Sequence, residues 1–256
     1  MNRLFRYASI LLGLVLLFFL TAPILRIISG VSTDKLIAAI QDKTTLHAVF
    51  LSLKISMLAT ILTAITGIPL AYLLARYEFP GKSLVEGLID IPVMVPHVAA
   101  GIALLMIFGA SGFMGRFFQK IGVTFLDTQA GILIAMMFVS APFLVNSAKE
   151  GFKKVDVRLE YVSRTLGANV FWTFLKITLP NARKEIINGA LMMWGRGLGE
   201  FGAVVILAYH PMTAPVLIYD RFNSFGLPYA VPVTVIMILV SITIFALIRL
   251  INNILK

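Results

Sequence analysis

The sequence contains no cysteine, so it can hold neither a disulfide nor a thiolate metal site, and the redox compartment is left open. Charge is also scarce. Only 13% of the residues are Asp, Glu, Lys or Arg, against roughly a quarter in soluble domains. Histidine occurs three times, at His47, His97 and His210, too far apart in sequence to suggest a metal centre, and no H-E-x-x-H is present. Each of the three reads as a packing or interfacial residue. No constellation of acid, base and nucleophile stands out either. No catalytic residue, metal or cofactor is therefore expected on this chain.

What is abundant is apolar surface. Of 256 residues, 59% are hydrophobic and the mean hydropathy is +0.94, which excludes disorder and exceeds what a soluble fold of this size could bury. The expected class is an all-α polytopic membrane protein forming one domain, 1–256, without short-period repeats. Six segments are long enough to span a bilayer, which takes roughly 20 helical residues. They run approximately over 8–28, 47–75, 84–109, 129–148, 186–208 and 230–252. The first follows Arg3 and Arg6 like a signal peptide, but no small-residue cleavage site precedes Arg26, and it is read as a retained helix. The second is long enough to tilt or project into the cytoplasm. Pro92 and Pro96 near Gly101 predict a kink or a break in the third.

The net charge is +10. A basic balance can signal nucleic acid, but here the cations lie in short runs between apolar stretches, which fits the positive-inside rule instead. Arg3, Arg6, Arg76, Lys82, the eight cations from Lys149 to Lys184, Arg249 and Lys256 fall on one side, and Arg26, Lys35, Lys43, Arg116, Lys120 and Arg221 on the other. The excess places both termini in the cytoplasm of a multi-pass plasma-membrane protein surrounded by lipid, with no nucleic-acid partner. Lys54 and Arg196 fall within spans. Gly81-Lys82-Ser83 is similar to the end of a phosphate-binding loop, but the glycine required five positions earlier is Arg76. Pro80-Gly81 reads as a turn, so transport energy must come from a partner or from an ion gradient.

The one long cytoplasmic segment covers about 149–185. Asp156 can cap a short helix that Gly167 ends in a left-handed conformation; Asn169 can cap a second, which Pro180 stops. The second helix sets Val170, Phe171, Phe174 and Leu175 apart from Trp172, Thr173 and Lys176. Such a pair suits either a groove on a partner or the membrane surface. Glu160, seven residues before Gly167, with Phe174, Leu179 and Pro180, resembles the E-A-A-x-x-x-G signature of ABC importer permeases, Tyr161 and Val162 standing for the two alanines. The resemblance implies a type I ABC importer permease architecture. It also implies an ATPase-coupling role for Glu160, Arg164, Gly167, Ala168, Phe171, Phe174, Leu179 and Pro180, and places ATP and Mg on a partner ATPase.

In the fifth span, Arg196 and Glu200 are four apart and share a helix face, where they can pair. Gly195 and Gly199 form a G-x-x-x-G suited to close helix packing. The pair either neutralises itself for assembly or lines a translocation path, and Gly199 and Phe201 share that alternative. The run from Arg196 to Ala203 is similar to the R-x-x-G-E-F-G-A segment of sulfate, molybdate and tungstate permeases. The loop from Leu207 to Arg221 resembles the version in archaeal-type molybdate and tungstate permeases. The resemblance implies inward movement of an oxyanion by a permease homodimer with two ATPase subunits and an extracytoplasmic oxyanion-binding protein. That protein would dock through Tyr209, His210, Tyr219 and Arg221; the aromatics of 209–228 can equally anchor the loop at the headgroups. Sulfate or another small solute is the runner-up cargo. An ion-coupled secondary transporter fits less well, because the two halves of the chain differ.

The absence of cysteine gives a clean labelling background for the orientation. Ser163→Cys should react with a membrane-impermeant thiol reagent from the cytoplasmic side alone, and Ser224→Cys from outside alone. The reverse pattern would invert the topology.

Overall fold

The computed structural model describes residues 3–254, so Lys256, counted above among the inner cations, lies outside the described residues. In chain order the helices are α1 (Arg3–Ser29), α2 (Thr33–Gln41), α3 (Lys43–Arg76), α4 (Lys82–Met94), α5 (His97–Phe108), α6 (Phe113–Gln119) and α7 (Gln129–Lys154). Then come α8 (Val157–Thr165), α9 (Val170–Thr173), a π-helical stretch (Phe174–Thr178), α10 (Leu179–Asn181), α11 (Arg183–Leu198), α12 (Gly202–Leu207), α13 (Ala214–Phe225) and α14 (Leu227–Ile254).

Local chemistry sets the main boundaries. The Asp42 carboxylate accepts the Thr44 and Thr45 N–H groups, each at 3.1 Å, and so caps α3. Thr128 caps α7 by accepting the Gly131 N–H at 3.3 Å. Inside α3 the hydroxyls of Ser52 and Thr60 donate to the carbonyls of Ala48 and Ser56, at 2.9 Å each, which satisfies these buried groups where water is absent.

Helix α7 is the centre of the bundle, packed by α3, α11, α4, α12 and α5. Leu51, Ile55 and Ala59 of α3 meet Ile132, Ala135, Met136 and Val139 of α7, Met193 of α11, and Ala203, Val204 and Leu207 of α12. A second cluster joins α3, α13 and α14, and a third ties α7 to the base of α3 and to α11. Helix α1 leans on α14, and its apolar window is buried nowhere in the chain.

The six expected spans are reproduced as four continuous helices long and apolar enough to cross a membrane, α1, α3, α7 and α14, or five if the bent pair α4–α5 counts as one. Two expected spans are broken, for different reasons. Pro96 has no N–H and holds Val95 extended, so α4 and α5 meet at 115°. The fifth span stops at Leu198 and resumes at Gly202, in a stretch where Gly195, Gly197, Gly199 and Gly202 each weaken the helix by about 1 kcal/mol relative to alanine.

The two half-helices that follow these breaks, α5 and α12, pack closely. A Cβ on Gly202 would lie 2.6 Å from the His97 Cβ, and one on Gly101 would lie 2.8 Å from the Ile206 Cβ. By contrast, a Cβ on Gly195 or Gly199 would meet nothing within 4 Å. The expected G-x-x-x-G contact is therefore not used inside this chain.

Gly202→Ala should wedge α5 from α12 and lower stability by about 1–3 kcal/mol, read as a drop in thermal unfolding temperature in detergent. Gly195→Ala, with open space around its Cβ, should not lower it.

Candidate functional site

Three groups of side chains stand out, one at each level of the bundle. At the cytoplasmic end, the sequence-expected caps form. Asp156 accepts the Arg158 N–H at 2.9 Å, Asn169 accepts the Trp172 N–H at 2.9 Å, and Gly167 is left-handed at φ 92°. The Ser163 and Thr173 hydroxyls, 3.1 Å apart, join the two short helices. Pro180 does not stop the second helix; it sits in the first turn of α10, where a missing N–H costs nothing, and the turn comes at Ala182 instead.

Glu160 faces inward. Its Oε1 accepts from the Arg76 Nε at 2.8 Å and from the Thr178 hydroxyl at 2.9 Å, while Arg76 also donates to the Val155 carbonyl at 2.9 Å. Counted back six positions from Gly167, the first place of the E-A-A-x-x-x-G signature is Tyr161, which is exposed; Glu160 stands one residue earlier. The apolar face expected on α9 is divided. The Phe174 ring turns into the bundle, 4.9 Å from Tyr72 and 5.9 Å from Phe152, and Leu179 joins that cluster. Leu166 (83% exposed), Phe171 (62% exposed) and Trp172 remain outside, with the Lys176 ammonium 4.8 Å from the Trp172 ring centre. Arg164, Gly167 and Pro180 are exposed and Ala168 is half-buried. Glu185, at the start of α11, accepts from Lys154 at 2.9 Å, and that bond holds its carboxyl below the usual range.

At the middle level, Arg196 and Glu200 pair as expected, with Nη2 to Oε2 at 3.0 Å, but not along a continuous helix. Glu200 lies beyond the end of α11 and is fully buried. Its Oε1 accepts the Ala203 N–H at 2.9 Å, at the start of α12. His97, the first residue of α5, completes the group: its Nδ1 lies 2.9 Å from Glu200 Oε2 and 2.7 Å from Arg196 Nη2. Sequence reasoning treated His97 as isolated. Its place directly after Pro96, at the start of a half-helix, was the available signal. Gly199 is open, and the Phe201 ring lies 4.9 Å from Tyr219.

At the outer level, Tyr209 donates to Asp220 at 2.7 Å, and this bond, aided by burial, pushes its pKa up to about 12. Arg221 donates to Asp42, the cap of α3. Burial pushes the Asp42 carboxyl up, but bonds from the Thr45 hydroxyl, Arg221 and the Thr44 and Thr45 N–H groups outweigh it and hold the pKa at about 2. Tyr209 and Arg221 are thus engaged within the chain. The His210 N–H is engaged too, donating to Asp127 at 3.2 Å, while the residue itself is exposed. Tyr219 is exposed as well. Among the described residues no group of three or more acidic or histidine side chains is placed to hold a metal.

Residues 67–256 match the family described as the binding-protein-dependent transport system inner membrane component. The chain belongs to this family. The permease is 40% identical over 245 residues to the molybdate/tungstate transport system permease protein of Pyrococcus abyssi, covering 95% of this chain and 94% of that one. It is 43% identical over 210 residues to the protein of the same name from Methanocaldococcus jannaschii, covering 82% of each. Among solved structures, a bacterial ABC transporter involved in the import of the acidic polysaccharide alginate superposes with a TM-score of 0.76 at 17% identity. It covers 97% of this permease and 95% of that chain. The fold is therefore that of ABC importer permeases, and the chain is a multi-pass membrane transport subunit.

Removing one partner from a buried ion pair costs about 3–5 kcal/mol. Glu200→Gln should therefore destabilise the permease strongly, through His97 as well as Arg196. Adding Arg196→Gln should recover part of the loss. Thermal unfolding of the two single variants and the double variant reads this; strictly additive losses would dissolve the pairing.

Proposed function

We propose that this chain is the membrane subunit through which an ATP-driven importer moves molybdate or tungstate into the cell. The observation that carries the reading is the 40% identity to a molybdate/tungstate permease over 95% of the chain, which spans both broken helices and the outer loop. Two copies form the pathway. The open face of α11 at Met192, Gly195 and Gly199 supports such pairing, since close packing there needs a second helix. An extracytoplasmic binding protein delivers the anion to the outer loops, where Tyr219, Phe222 and Phe225 are exposed. Both termini lie in the cytoplasm.

Two ATPase subunits, which carry ATP and Mg, engage the segment 149–185. Leu166, Phe171 and Trp172 supply its apolar contact surface. Glu160 acts behind that surface. Through Arg76 and Thr178 it fastens α8 and the π-helical stretch to the base of α3, so displacement of the segment by nucleotide binding reaches the bundle as motion of a long helix. The Glu200 group would keep α5, α11 and α12 moving as one body. The permease itself needs no tight anion site, since Glu200 already offsets Arg196.

Proteoliposomes containing the permease, its ATPase and its binding protein test the reading. ATP-dependent tungstate or molybdate uptake is expected, with sulfate in excess competing poorly. Sulfate uptake with no molybdate or tungstate uptake would reassign the cargo, and no ATP-dependent uptake of any of the three would overturn the reading.

A further inference from the structure

Lys54 has no part in any contact described so far. It lies eleven residues into α3, about 16 Å along the helix from Lys43. It is exposed on the side of α3 that carries Phe50, Met57, Leu58, Ile61 and Ile65, all exposed, while the opposite side buries Leu51, Ile55 and Ala59 in the core. Two contacts fix its height. The Trp194 indole N–H donates to the Leu53 carbonyl at 3.5 Å, and a Cβ on Gly197 would lie 3.5 Å from the Ser56 Cβ. Residues 53–56 of α3 therefore face residues 194–197 of α11, and Lys54 sits at the level of Arg196.

The charges at and below this level are compensated elsewhere. Arg196 meets Glu200 at 3.0 Å, Lys149 meets Glu86 at 3.1 Å, and Asp90 accepts from Asn146 at 2.6 Å. Lys54 has no ion-pair or hydrogen-bond partner among the described residues. An uncompensated cation at membrane depth is costly against lipid and is characteristic of water-filled paths. Its chemistry suits transit. An ammonium on a flexible four-carbon stem is strongly hydrated and makes single, exchangeable contacts, whereas a guanidinium fork would hold an oxyanion in two places.

We infer that Lys54 lines the translocation path and is the transient counter-charge for the passing oxyanion, with Arg196 serving structure instead. The inference rests on the oxyanion reading above for its cargo, but its placement in a water-filled path does not.

The test has two arms on the assembled transporter. In the first, Lys54→Cys is exposed to a small, anionic, membrane-impermeant thiol reagent. Modification is expected, and protection of the site until detergent is added would mean that it faces lipid and would overturn the inference. In the second, Lys54→Gln should lower the maximal rate of tungstate uptake by at least about tenfold, with subunit assembly and binding-protein-stimulated ATP hydrolysis retained, and Lys54→Arg should restore much of the rate. Normal uptake by Lys54→Gln overturns the inference. So does loss of assembly in both variants, which would make Lys54 a structural residue. If the unaltered transporter moves no oxyanion, the cargo assignment fails, and the thiol arm still decides whether position 54 lines the path.

Discussion

The middle of this permease depends on one buried carboxylate. Glu200 lies where the fifth span comes apart, and it gathers the ends of three helices: Arg196 in the last turn of α11, His97 at the start of α5, and the Ala203 N–H at the start of α12. Each would be a liability alone. A broken helix in a membrane exposes backbone groups that lipid cannot satisfy, and a lone charge at that depth is strongly disfavoured. Set together, the breaks supply a donor to the carboxylate, and the carboxylate neutralises the arginine. The glycines at 101 and 202 then let α5 and α12 approach closely enough for the group to close.

A second carboxylate repeats this logic at the cytoplasmic end. Glu160 is held by Arg76 and Thr178 behind a surface of exposed apolar residues, so the segment that meets the outside is fastened to the helix that runs through the bundle. At the outer end Asp42 has two tasks, capping α3 and receiving Arg221 from α13. Helix α3 is thus tied at both ends by ion pairs to segments distant in sequence, which suits a member that must transmit displacement without bending.

The physical division of labour among the cations follows. Arginine, with several donors in a fixed plane, is used where geometry must be fixed, at Arg76, Arg196 and Arg221. Lysine stands free at Lys54, where a fixed contact would hinder passage of an anion.

Periodicity, composition and caps made much of this legible in the sequence. The all-helical membrane class, the break at Pro96, the left-handed Gly167, the caps at Asp156 and Asn169 and the pairing of Arg196 with Glu200 all follow from residues within a few positions of one another. The splitting of the fifth span was not read, because a run of glycines permits a break without requiring one; only the demand of the buried carboxylate for the Ala203 N–H and for His97 selects it. The inward turn of Glu160 and Phe174 was likewise hidden, since Arg76, Tyr72 and Phe152 lie far off in the chain. The sequence by itself determined where helices start, stop and carry charge, because those effects act over one or two turns. Which charge meets which, and which is left free, was decided by the tertiary structure alone, because ion pairing in a membrane depends on distances between helices and not on positions along them.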